Sequence, residues 1–141
     1  MKAIFKFNGR TITNEEIEGI SILIKLGEEF EDNDYDDNEE YAINKLKEKS
    51  NIFNIDEFEI ECPIDDYVYL RNMSFTGIEG AYPNNKNELE VLKKSYNEVI
   101  EVFGEDRVSI AVYSDYLYND YNEDDFSLEE FLNNFSLEEE M

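Results

Sequence analysis

Apolar residues in the first part of the chain fall on alternate positions. "KAIFKF" and "RTIT" flank Asn8-Gly9. Both turn residues tolerate positive φ, so the pair favours a two-residue type I′ hairpin with strands at about 2–7 and 10–13. In "ISILIKL", Ile20, Ile22, Ile24 and Leu26 share one face of an extended chain. A helix can be drawn through this run too, but β-branched alternation favours a strand. "EFEIEC" (57–62) alternates in the same way, with Phe58, Ile60 and Cys62 on one face and Glu57, Glu59 and Glu61 on the other. "PIDD" turns the chain, and "YVYLRNMSF" (67–75) returns as an antiparallel partner. "RVSIAVYS" (107–114) is a further strand, with Val108, Ile110 and Val112 on one face.

Elsewhere the period changes. Leu89, Leu92, Tyr96, Val99 and Phe103 recur at three- and four-residue spacing. This predicts a helix over 87–103, stopped by Gly104 at C′. Asn38 is placed to cap a helix over 39–49, with Ala42, Ile43 and Leu46 facing in. Gly77, Gly80, Pro83 and Asn84-Asn85 mark a loop. The whole predicts an α+β domain: a mostly antiparallel β-sheet with an N-terminal hairpin and two to three helices packed on one face. No stretch reads as a linker, so residues 1–141 form one expected domain.

The segment 124–141, "DDFSLEEFLNNFSLEEEM", contains Phe-Ser-Leu-Glu-Glu twice, at Phe126–Glu130 and Phe135–Glu139. The copies start nine residues apart. In one helix, at about 100° per residue, that is a half-turn offset, so Phe126 and Phe135 would point to opposite sides. Ser127 with Glu130, and Ser136 with Glu139, each fit a capping box. The repeat therefore reads as two helix starts. The first opens a short helix over about 127–134, docked through Phe131 and Leu132. The second frays, because too few residues follow.

Charge adds a separate constraint. The 141 residues include 36 acidic and 12 basic ones, for a formal net charge of −24. The apolar fraction is 41%, with ten Tyr and ten Phe, which is enough to bury a core. The charge is uneven. Residues 28–40 carry −9, residues 56–66 carry −6 and residues 113–141 carry −10, while 1–27, 41–55 and 67–112 carry +1, +2 and −2. This pattern describes a near-neutral scaffold with acid-rich stretches set into it. Such a chain repels nucleic acid and anionic membranes and suits a basic partner.

Candidate chemistry is sparse. The chain has no His and a single cysteine, Cys62. Ser–His and Cys–His pairs and Cys/His zinc sites are therefore excluded, as is an internal disulfide; a reducing cytoplasm is the expected setting. No phosphate-cradling glycine motif occurs, and "GIEG" (77–80) has the wrong spacing for one. No apolar run reaches transmembrane length and the N-terminus lacks a signal peptide's apolar core. Calcium-loop registers begun at Asp32, Asp34 or Asp120 place Asp37, Glu39 or Asp125 where Gly is needed, and Ile43, Lys45 or Phe131 where Glu is needed. Paired carboxylates abound, so a glycosidase-like acid/base pair stays open by residue type, although solvated surface acid is the ordinary reading. A non-enzymatic protein with no cofactor and no metal site is expected.

Alternate strand positions lie about 6.6 Å apart on one face. Duplex DNA carries a phosphate every ~3.4 Å of axis per strand, and displacement around the helix makes the true separation larger. Rows of carboxylates can approximate that spacing. Glu57, Glu59 and Glu61 form one row; Asp32, Asp34 and Asp36, followed by Asp37, form another if extended. In "YSDYLYNDYNEDDF", Tyr116, Tyr118 and Tyr121 alternate with Asp115, Asp120, Asp124 and Asp125, and Tyr is favoured at interfaces. Glu129 and Glu130 fall in the first turn of the predicted C-terminal helix. These residues are the candidate partner-binding set. Beside this stands the ordinary reading: alternating acid is the solvated face of a half-buried sheet.

In charge, size and lack of catalytic residues the chain resembles the small acidic DNA-mimic inhibitors of phages and mobile elements, such as anti-restriction and some anti-CRISPR proteins. "EEYAI" (39–43) with the acid before it bears a short similarity to a segment of ArdA-type antirestriction proteins, which are longer. The class implies binding to the nucleic-acid-binding channel of a host defence complex. An immunity protein for a secreted nuclease toxin would need the same composition, and so would an acidic adaptor for a basic partner.

Overall fold

The computed structural model describes residues 2–7, 9–17, 19–25, 43–48, 58–64, 67–77, 80, 82–113 and 126–138. In chain order these form β1 (Lys2–Phe7), β2 (Arg10–Thr13), β3 (Gly19–Lys25), helix α1 (43–48), β4 (Phe58–Ile64), β5 (Tyr67–Asn72), α2 (Lys86–Phe103), β6 (Val108–Tyr113), α3 (Leu128–Asn134) and β7 (Phe135–Glu138). A short 3-10 turn, Glu105–Arg107, precedes β6. All pairing among the described strands is antiparallel, which gives the expected α+β class.

The strands divide between two sheets where one was expected. The first has the order β2-β1-β7 and the second β4-β5-β3-β6. The hairpin forms as its turn residues predict, with Phe7 opposite Arg10 and Gly9 at φ 76°. In the second sheet β3 is central, with Ile22 opposite Leu70 on one side and Ile110 on the other. Its alternation hides a second buried face. Ile20, Ile22 and Ile24 join the main core, while Ser21 and Leu23 are also buried, and Leu23 packs with Tyr69 and Ala111 in a separate small cluster. Among the described residues α1, α2 and α3 each contribute to the main cluster and none to the small one.

α2 covers the main face. Leu92, Tyr96, Val99 and Phe103, read from their spacing, are all buried, together with Ser95 and Val102. Asn85 caps the helix by accepting from the Glu88 N–H at 2.9 Å, and the N–H of Gly104 closes it onto Ile100 O at 2.7 Å. The Tyr96 hydroxyl, carried into the core by its ring, donates to Val108 O at 3.1 Å. α1 reaches the far end of α2: Leu46 is buried and Lys45 Nζ lies 5.0 Å from the centre of the Phe103 ring.

Glu88 ties the preceding loop to α2. Its carboxylate accepts from the Thr76 N–H (2.7 Å) and hydroxyl (2.6 Å), the Asn84 N–H (3.1 Å) and the Asn85 side chain (2.6 Å). Partial burial pushes its pKa up, but the hydrogen bonds outweigh that and hold it below the ordinary carboxylate value. A lowered folded-state pKa stabilises the fold above the unfolded-state value, and this contribution is lost as pH falls through the folded-state one. Glu88→Gln should therefore lower the melting temperature at pH 7. The gap to wild type should close as pH falls below about 4, which paired thermal melts across pH would measure.

The repeated word is read in two ways. At its first copy Ser127 caps α3, its Oγ accepting from the Glu130 N–H at 3.1 Å, as the capping signal predicts. The second copy is not a fraying helix start. Phe135–Glu138 is β7, paired with β1 so that Phe135 faces Phe5 and Leu137 faces Ala3. The open edge of β1 supplies backbone partners, and burying Phe135 outweighs a helix start with too few residues behind it. Because the chain turns from helix to strand at residue 135, Phe126 and Phe135 do reach one core. The Phe5 ring packs edge-on against Phe126 at 5.1 Å and stacks on Phe131 at 5.7 Å, and Phe131 stacks on Phe135 at 4.9 Å.

Candidate acidic interaction surface

Four of the sixteen candidate contact residues fall among the described ones. Asp32, Asp34, Asp36, Asp37, Glu57, Asp115, Tyr116, Tyr118, Asp120, Tyr121, Asp124 and Asp125 lie outside them, as do most of the residues in the tested calcium registers. Glu59 and Glu61 are on β4; Glu129 and Glu130 are on α3.

β4 is an edge strand, and over residues 58–60 its side chains alternate as read, before a register shift between Glu61 and Ile64. Phe58 and Ile60 pack against the core, while Glu59 is exposed. Register pairs Glu59 with Arg71 and Glu61 with Tyr69 on β5. A base directly across from Glu59 offsets part of the row's field, so this face is less negative than β4 alone suggests.

The α3 acids stand differently. Glu129 and Glu130 are exposed in the helix's first turn, where the backbone N–H groups favour negative charge by about 0.3–1 kcal/mol each. α3 is held from beneath by Phe131, which is fully buried. Burial pushes the Tyr96 phenol pKa up, the Leu128 N–H opposes this, and the charges of Glu105 and Glu130 raise it further. Two carboxylates from separate elements, the 3-10 turn and α3, thus bear on one buried phenol. Glu105 and its neighbour Asp106 are both exposed.

Glu105 and Asp106 were not among the sequence candidates. Summing charge over 67–112 hid them, because Arg107 and four other bases in that stretch nearly cancel the acids. The signal was the helix stop at Gly104 immediately followed by two acids. Other acids are occupied structurally: Glu88 by the loop, Glu90 by Lys93 at 2.9 Å, and Glu16 by the Thr13 hydroxyl at 3.2 Å.

Among the described residues no three acidic or sulfur ligands converge as a metal site. No described helix is long and apolar enough to cross a membrane. Compared with known families, curated proteins and solved structures, the chain matches none.

Proposed function

We propose that the protein is a non-enzymatic acidic inhibitor that occupies the positively charged nucleic-acid-binding surface of a host defence nuclease or CRISPR complex, acting as a DNA or RNA mimic. The observation that carries this reading is the distribution of the −24 charge into acid-rich stretches on an otherwise near-neutral chain. Mutual repulsion on that scale costs stability, and a basic groove that normally releases counterions to phosphates recovers it. Carboxylates fixed on folded elements suit such a groove, since they need not be ordered at binding. Glu129 and Glu130 on α3, and Glu105 on the 3-10 turn, have that property.

Bait capture from lysate of the host organism tests the reading. The main prey should be a nucleic-acid-binding protein or nuclease, released as salt rises. Recovery of metabolic enzymes alone, or of an apolar partner indifferent to salt, would sink it. Prey encoded beside this chain as a secreted toxin would move the assignment to an immunity protein. With the prey identified, Glu57→Gln, Glu59→Gln and Glu61→Gln combined should weaken binding roughly tenfold, at about 0.5 kcal/mol per charge. Unchanged affinity in a titration would remove β4 from the contact.

A further inference from the structure

We draw no further inference here: the strongest candidate, the face of the four-stranded sheet opposite the main core, where Leu23, Tyr69 and Ala111 form a separate buried cluster, carries none because nothing among the described residues shows what covers it.

Discussion

Replacing Phe131 by Ala should cost about 3–5 kcal/mol and lower the melting temperature by roughly 10–20 °C. Phe131 is fully buried and stacks on two rings from opposite ends of the sequence, Phe5 at 5.7 Å and Phe135 at 4.9 Å. It is also the only buried residue of α3. Truncation opens a cavity at the junction of α3, β1 and β7, none of which can close it without breaking the β1–β7 register. Phe131→Leu keeps most of the volume and should cost less than half as much. Equal losses for Ala and Leu in urea unfolding would show that ring stacking, not volume, holds the segment.

Gly77→Ala should be the most damaging conservative change in the loop before α2, at about 3 kcal/mol. A methyl group there would stand 2.5 Å and 2.6 Å from Cδ2 and Cε2 of Tyr82, and closer still to the Tyr82 carbonyl oxygen. Neither side can yield cheaply. The Gly77 N–H donates to that same carbonyl at 3.0 Å, and the buried Tyr82 ring reaches on to Asn14 O with its hydroxyl at 3.3 Å. A melting temperature within about 2 °C of wild type would show that the loop can move aside, against the close approach seen here. The same contact explains "GIEG": Gly77 is there for space and Gly80 for a φ of +75°, so both glycines have structural work that needs no ligand.

Elements with strong periodicity were legible in the sequence. The hairpin follows from Asn8-Gly9 and α2 from five apolar residues at helical spacing, because local preference and burial agree in both. Three features were not legible. The division into two sheets depends on which strands share edges, and alternation reports faces, not neighbours. The burial of Ser21 and Leu23 contradicts a half-buried strand, since a small polar residue and a leucine between isoleucines carry no clear period. β7 was hidden because its Ser-Leu-Glu-Glu is a good helix start; only the vacancy beside β1, more than a hundred residues earlier in the chain, decides otherwise. For the site, sequence placed Glu59 outward and Glu129 and Glu130 at a helix start, but it could not show that the charges of Glu105 and Glu130 both raise the pKa of one buried phenol, Tyr96, since that depends on how α2 and α3 dock.

The pairing of β1 with β7 also sets an order of events during folding. A two-stranded hairpin is marginal in water, and among the described residues β1–β2 gains its third strand from residues 135–138. During synthesis the hairpin is made well before residues 126–138, so its core face, with Ala3, Phe5 and Ile12, waits for α3 and β7. Closing that contact spans nearly the whole described chain, which slows folding and leaves an aromatic surface open to chaperones or to other chains in the interval. The acid carried between those two strands keeps neighbouring nascent copies apart during that wait, a kinetic benefit of the same charge that burdens the finished fold.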